Sequence, residues 1–208
     1  MKTRFIKITA ILFIALCSGC VTPEYLKSIY DNPGWPGFIT STKSDFDNKS
    51  MSSMEAAYLY DGSSSFRLGL RWSSGFKKDS ILLVAEWLGA KNFEPKATLD
   101  INIDGEIISL KPSDPRQYGI TSEKIVISSG LMDVPVSQGN QTHKTYWVTR
   151  QTLERMINAK KVVVRVQLLN SYWEERFEPS TDALPTYNKY PYIWAKAAFK
   201  KFLNKIPS

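Results

Sequence analysis

The spacing of apolar residues predicts a series of short β-strands through the middle of the chain. Apolar side chains take every second position over residues 66–72 and 97–103, the period of a strand with one buried face. Residues 81–87 form an apolar run interrupted only by Glu86, typical of a central strand. Asp104 and Gly105 separate two apolar runs, and Asp-Gly favours a hairpin because both turn positions need a positive φ angle.

A short internal helix is expected over residues 150–159. Thr149 precedes it as an N-cap, because its hydroxyl can accept a hydrogen bond from the first turn. Apolar residues again recur with a period of two in two later segments, the Val-rich residues 162–168 and the aromatic-containing residues 172–177. This period predicts two more strands. Many short strands with turn signals between them indicate a mainly β fold, either an antiparallel β-sandwich or a partly open barrel.

A second, C-terminal amphipathic helix is predicted near residues 192–205. Its apolar residues recur at helical spacing and form one stripe, while Lys200, Lys201 and Lys205 lie outside it. We expect the stripe to dock on the sheet rather than on lipid. The three lysines are a candidate surface for a partner or a membrane.

The first twenty residues have the organisation of an export signal. They begin with three basic residues, Lys2, Arg4 and Lys7. An apolar run of about ten residues follows, too short for a bilayer span of about 20 residues, and small residues precede Cys20. We expect residues 1–19 to be removed. Residues 20–54 should then form a short helix and a polar tether or long loop, chiefly over residues 40–53, and residues 55–208 a single β-rich domain.

Residues 16–20, Leu-Cys-Ser-Gly-Cys, resemble the lipobox of bacterial lipoproteins, although Cys17 stands where that family usually has leucine. The resemblance implies that lipid is attached to Cys20 and tethers the protein to a membrane. Two or more acyl chains give a lasting anchor. Val21 rather than aspartate follows the cysteine, which by the sorting rules of Gram-negative lipoproteins implies the periplasmic face of the outer membrane.

The order of elements in the remaining chain is similar to that of small uncharacterised envelope lipoproteins of Gram-negative bacteria. Three segments carry this resemblance: residues 103–106 (Ile-Asp-Gly-Glu), 147–149 (Trp-Val-Thr) and 159–166 (Ala-Lys-Lys-Val-Val-Val-Arg-Val). It covers about half of the chain and implies a fold, but it brings no activity with it.

Composition narrows the chemistry further. The net charge of +7 includes Lys2, Arg4 and Lys7, so the chain after the signal carries +4. This charge is mild, and without a nucleic-acid-binding motif we expect no nucleic acid as a partner. Of the two cysteines, Cys17 leaves with the signal and Cys20 is lipidated. The mature domain should therefore have no disulfide and no cysteine nucleophile.

Residues 100–105, Asp-Ile-Asn-Ile-Asp-Gly, match the first half of an EF-hand calcium loop. Lys111 stands at position twelve, where a bidentate glutamate is required. The flanking residues also have the period of strands rather than of helices. We therefore expect no calcium site and no other metal.

Two further patterns, a serine–lysine string and a single histidine, each lack the partner residues that a catalytic site needs. Residues 74–77 match the S-x-x-K string of penicillin-interacting enzymes, but the Ser-Asp-Asn and Lys-Thr-Gly strings that complete that site are absent. His143 is the only histidine, follows a polar loop, and cannot alone supply the imidazoles of a common catalytic zinc site. We expect a solvated surface histidine, no catalytic residue and no cofactor.

Sugar chemistry is the alternative that the residues leave open. Glu174, Glu175 and Glu178 are close enough in sequence to suggest the paired carboxylates of a glycosidase. Six Trp and ten Tyr permit an aromatic sugar platform, and three of the tyrosines fall in a proline-containing loop: Tyr187, Tyr190 and Tyr192.

The sequence thus favours a non-catalytic, membrane-anchored envelope lipoprotein that binds a protein partner or supports an envelope assembly. An immunity protein that blocks an incoming toxin is a narrower form of this interpretation. The alternative is a glycan-binding module or a carboxylate-based glycan hydrolase.

Overall fold

The computed structural model describes residues 32–60, 65–89, 91–114, 119–121, 124–128, 133–137, 141–178 and 193–207. Strands dominate these residues, which confirms the mainly β fold. The strands are β1 (Ile39–Lys43), β2 (Ser50–Tyr58), β3 (Phe66–Ser73), β4 (Ser80–Leu88), β5 (Leu99–Ile103), β6 (Glu106–Leu110), β7 (Gly119–Thr121), β8 (Lys124–Ser128), β9 (Asp133–Ser137), β10 (Gln141–Thr149), β11 (Val162–Leu168) and β12 (Ser171–Arg176). The helices are α1 (Arg150–Asn158) and α2 (Ala195–Lys205).

Two antiparallel sheets make up most of the structure. Sheet 1 has the order β1-β2-β3-β4-β10-β7, sheet 2 has the order β12-β11-β5-β6, and β8 pairs with β9 alone. Aromatic side chains join the two sheets: the rings of Trp87 of β4 and Trp173 of β12 lie 5.5 Å apart. Phe66 of β3 lies 6.4 Å from Phe93, which bridges to Leu168 of β11 from the β4–β5 connection. The architecture is therefore a β-sandwich, the first of the two architectures expected.

The core lies between the sheets, where the alternating residues meet. Phe66, Leu68 and Leu70 of β3 are completely buried, and so are Val162, Val164 and Val166 of β11. Burial of one large apolar side chain contributes about 1.5–3 kcal/mol. The period of two in these segments therefore identified the main stabilising contacts of the fold.

The predicted hairpin at Asp104 and Gly105 is present between β5 and β6. Both residues have positive φ angles, 50° and 101°, as the turn requires. The Asp104 carboxylate also accepts hydrogen bonds from the backbone N–H groups of Lys160 and Lys161, at 3.2 and 2.8 Å. These bonds tie the hairpin to the segment that leads into β11.

Helix α1 begins as expected, since the Thr149 hydroxyl accepts a hydrogen bond from the backbone N–H of Thr152 at 3.1 Å. Arg150, the first residue of α1, binds the C-terminal end of α2. Its guanidinium donates to the carbonyl oxygens of Leu203, Ile206 and Pro207 at 3.2, 3.1 and 2.7 Å. A cation at the carbonyl end of a helix satisfies groups that lack partners within the helix.

Helix α2 docks on the protein, as its apolar stripe predicted. It contacts β2, β3 and α1, and Phe199 and Phe202 are completely buried. Lys200 and Lys205 are exposed and Lys201 is half-buried. Neither helix in the described part of the chain has the length and apolar character needed to cross a bilayer.

One expectation is wrong: residues 40–53 are not a tether or long loop. They form β1 and the first part of β2, which pair from Ile39 opposite Met54 to Lys43 opposite Ser50. The expected boundary between residues 54 and 55 therefore cuts through β2. Strand β1 is exposed at every position after Ile39 because it lies at the edge of sheet 1, so no apolar period marks it. The expected signal and the short helix before residue 32 lie outside the described residues.

Candidate interaction surface

Two hairpin turns lie side by side at one end of sheet 1. The β1–β2 turn spans residues 44–49 and the β3–β4 turn spans residues 74–79. The backbone N–H of Ser50 donates to the Ser74 hydroxyl at 3.0 Å, and the N–H of Ser74 donates to the Ser50 carbonyl at 2.9 Å. These two bonds fix the turns relative to each other.

The first turn presents a fully exposed phenylalanine, Phe46. The Ser44 hydroxyl accepts hydrogen bonds from the backbone N–H groups of Phe46 and Asp47, at 3.3 and 3.4 Å. Asp47 also pairs with Lys49 at 2.7 Å, and hydrogen bonds from Lys49 and Ser44 lower the pKa of Asp47 to about 2. The turn is therefore organised by its polar residues, while the aromatic ring points away from the core.

Trp147 adds a second aromatic group on the outer face of sheet 1. It is 44% exposed, and its ring contacts that of Phe76 edge to face, with centroids 5.1 Å apart. Trp147 lies opposite the half-buried Leu82 of β4, and Met51 on β2 is 45% exposed. Large apolar side chains thus remain in contact with water at the same end of the sheet.

Cations surround these apolar groups. Arg71 on β3 and Lys77 and Lys78 in the β3–β4 turn are exposed, and none of them forms an ion pair with another described residue. By contrast, Arg67 on the same face of β3 is buried in an ion pair with Glu86. The hairpin-end surface, as we define it, consists of seven residues: Phe46, Met51, Phe76, Trp147, Arg71, Lys77 and Lys78.

A cavity of about 270 Å³ lies beneath the β3–β4 turn. Trp72 and Ile81 form part of its apolar wall, and Lys77, Lys78 and Arg150 contribute positive charge. It adjoins the hairpin-end surface through Phe76, which lines both. The surface is therefore not flat, and a side chain of a partner has a recess to enter.

The segment that resembles half of a calcium loop is a β-hairpin, and its oxygens have protein partners. Asn102 accepts from the backbone N–H of Gly105 at 2.8 Å, and Asp104 accepts from Lys160 and Lys161. Among the described residues, no group of three or more His, Cys, Asp or Glu side chains is arranged to hold a metal ion.

The S-x-x-K string lies in the exposed β3–β4 turn, as expected for a polar connector. Its serine, Ser74, uses its hydroxyl to accept the backbone bond from Ser50. Its lysine, Lys77, is an exposed member of the hairpin-end surface. Ser74 therefore stabilises the turn, and Lys77 contributes positive charge to the hairpin-end surface.

The expected loop position of His143 is wrong. His143 lies on β10, opposite Glu86 of β4 and Gly119 of β7, and is half-buried there. Its neighbours on the strand are polar residues that point inward. Lys144 is 1% exposed and donates to the carbonyl oxygens of Glu94 and Ala97 at 2.5 and 3.1 Å.

Lys144 is the most unusual buried side chain on β10. Burial lowers its pKa to about 8, although the charge of Glu94 acts in the opposite direction. Its two carbonyl partners belong to the loop between β4 and β5. Lys144 thus fastens that loop to sheet 1 with polar bonds instead of apolar packing.

The three glutamates suggested for sugar chemistry do not share one site. Glu174 is exposed and pairs with Arg165. Glu175 points inward and accepts from the Trp173 indole N–H at 3.0 Å. Glu178 lies 3.6 Å from Arg176. Cys20 and the tyrosines Tyr187, Tyr190 and Tyr192 lie outside the described residues.

The sequence reasoning missed the hairpin-end surface, although one signal for Trp147 was available. Tyr146 and Val148 are buried, so a period of two places Trp147 on the opposite face. Phe46 and Phe76 gave no comparable signal, because each is a single aromatic residue in a polar turn. Comparison with known protein families, characterised proteins and solved structures finds no match for the chain.

Proposed function

We propose that the protein is an exported, non-catalytic envelope lipoprotein that is anchored by lipid on Cys20 and binds a protein partner through its hairpin-end surface. The periplasmic face of the outer membrane is the proposed location. In this role the sandwich is the support that presents the surface to the partner. Binding of this kind includes a part in an envelope assembly and, more narrowly, immunity against an incoming toxin.

The observation that carries this proposal is the exposure of Phe46 and Trp147 on an ordered end of sheet 1. Exposed apolar patches with polar rims are typical of protein interaction sites. Aromatic side chains and arginine are also enriched at interfaces and dominate their binding energy. Arg71, Lys77 and Lys78 add positive charge, which favours a partner with an acidic rim around an apolar centre.

The lysine face of α2 is the weaker candidate for the same role. Lys200 and Lys205 are exposed, but the apolar side chains of the helix are buried beneath them. A surface of lysines without an apolar centre lacks the residues that usually supply binding energy. We therefore place the partner at the hairpin end.

Site-specific photocrosslinking in intact cells tests this proposal. A benzophenone amino acid is placed at position 46 or 147 in the full chain, and at position 169 as a control. Leu169 is a suitable control because it is also exposed but lies in the β11–β12 turn. We expect one discrete adduct from positions 46 and 147 and none from position 169.

A second substitution distinguishes specific binding at the hairpin-end surface from crosslinking to a protein that is merely nearby. Trp147→Ser in the chain carrying the crosslinker at position 46 should abolish the adduct, while Leu169→Ser should leave it intact. Equal adducts from all three positions, or an adduct that survives Trp147→Ser, would contradict binding at the hairpin end.

A further inference from the structure

A polar groove of about 340 Å³ runs across the outer face of sheet 2, away from the hairpin-end surface. Its volume falls at the lower end of the range for small-molecule sites, about 300–1,000 Å³. The groove is lined by Asp100, Asn102, Asp104, Arg165 and Glu174 together with Lys161, Ile107 and Val163. We propose that this groove binds a short neutral saccharide.

The floor of the groove contains a row of polar side chains in register across three strands. Asp100 of β5 lies opposite Arg165 of β11, and Arg165 lies opposite Glu174 of β12. Ser109 of β6, outside the lining, lies opposite Asp100 and extends the row. Asp100 accepts from the Ser109 hydroxyl at 2.7 Å, and Arg165 pairs with Glu174. Donors and acceptors therefore alternate along the row, and a hydroxyl group can pair with either kind because it both donates and accepts.

The charges in the groove argue for a neutral ligand. Asp100, Asp104 and Glu174 face Lys161 and Arg165, so the two signs nearly balance. The carboxylates are also engaged by hydrogen bonds or an ion pair within the protein. An anion would therefore meet no net attraction, and a cation would have to compete with the partners that the carboxylates already have. Hydroxyl groups can share these polar groups as both donors and acceptors.

Apolar side chains at the margins of the groove can contact the C–H groups of a sugar ring. Ile107 in the lining is 67% exposed, and Tyr172 beside the groove is 61% exposed. The ring of Tyr172 lies 5.4 Å from the guanidinium carbon of Arg165, which holds it at the edge of the polar row. A saccharide has both hydroxyl groups and apolar C–H faces, so it matches this combination of polar and apolar groups.

The geometry fits binding rather than hydrolysis. Asp100 and Glu174 lie on strands at either side of β11, so their backbones are about 10 Å apart at the usual strand spacing. Arg165 stands between them and pairs with Glu174. The two carboxylates therefore do not face each other across open space, as the acid and base of a glycosidase do.

An array of immobilised neutral, acidic and cationic oligosaccharides tests this inference with the full chain in detergent. We expect binding to neutral oligosaccharides, reduced at least tenfold by Tyr172→Ala and by Arg165→Gln. Both side chains are exposed, and unchanged melting curves will show that the variants fold. Trp147→Ser is the matched control and should bind sugars as the parent does.

Three results would overturn the inference: no binding to any neutral oligosaccharide, binding to acidic oligosaccharides alone, or binding that neither groove variant reduces. The Trp147→Ser control keeps this test separate from the proposed partner surface. If positions 46 and 147 give no adduct but neutral sugars still bind, only the hairpin-end proposal is refuted. If those positions give the adduct but no neutral sugar binds, only the groove proposal is refuted.

Discussion

Replacing Phe202 by alanine tests how much of the stability depends on α2. The side chain is completely buried on a helix that contacts β2 and β3. Removing a phenylalanine ring from a packed core costs about 3–5 kcal/mol, because transfer energy is lost and a cavity remains. Since most domains unfold with only about 5–15 kcal/mol, this single change removes a large share of the total.

The expected loss corresponds to a clear shift in melting temperature. In a domain of this size, 1 kcal/mol moves the melting temperature by about 2–4 °C, so Phe202→Ala should lower it by about 6–20 °C. Circular dichroism of the full chain in detergent measures the shift. Lys200→Ala is the matched control on the exposed face of the same helix, and it should change stability by less than about 0.5 kcal/mol.

One combination of results would refute this reasoning. If Phe202→Ala melts within 2 °C or so of the parent (below the shift expected for even 1 kcal/mol) but no longer binds vesicles of anionic lipid, the ring contributes to a membrane contact. The helix would then lie on lipid with its lysines near the headgroups. In the membrane-bound protein, α2 would not pack on sheet 1.

Three further predictions follow from other parts of the molecule. Cys20→Ala should abolish labelling by a clickable fatty acid, because its thiol is the proposed site of lipid attachment. Millimolar calcium should leave the melting temperature unchanged, because Lys111 replaces a required ligand and the Asp104 carboxylate is engaged by backbone N–H groups. Stability should rise between pH 8 and 10 by at most about 1.4 kcal/mol per pH unit, because Lys144 has a pKa of about 8 when folded and a usual value of 10.5, so the unfolded state binds more protons. Lys144→Met should flatten this rise.

Each of these predictions has a contrary outcome. Undiminished fatty-acid label on Cys20→Ala would sink the lipoprotein proposal. A bound ion at a hundred times its dissociation constant stabilises by about 2.7 kcal/mol, so a melting temperature raised several degrees by calcium would reveal a site. An identical pH slope in the parent and in Lys144→Met would assign the titration to another group.

The sequence was most informative where apolar residues alternate or where a turn needs a particular residue. The buried positions of β3 and β11 and the hairpin at Asp104 and Gly105 were all predictable, because burial and positive φ angles restrict the residues that fit. Thr149 was equally informative, since the first turn of a helix needs an acceptor that few residues provide.

The errors arose in strands whose stabilising contacts are polar. Strand β1 is exposed on both faces, so its serine and threonine residues look like those of a loop. In β10, Thr142 and Lys144 occupy inward positions that usually hold apolar residues, and they bond to loop carbonyl oxygens instead. Such a strand has no alternating apolar residues, so apolar periodicity does not predict it.

The candidate surfaces depend on pairing between distant segments, which the sequence does not reveal. Phe46 and Trp147 are brought to one end of sheet 1 only by the strand order. The groove likewise depends on the register that places Asp100, Arg165 and Glu174 in one row. Both are consequences of topology rather than of any local motif.

The docking of α2 has a consequence for how the newly made chain matures. Tyr58, at the end of β2, bridges to Trp194, directly before α2, so β2 and β3 are covered only when a segment distant in sequence is in place. Contacts between residues far apart in sequence slow folding, and uncovered strands invite aggregation until they are buried. As long as residues 193–205 have not docked, apolar side chains of β2 and β3 stay uncovered, and we expect chaperones and proteases to act on the chain in that state.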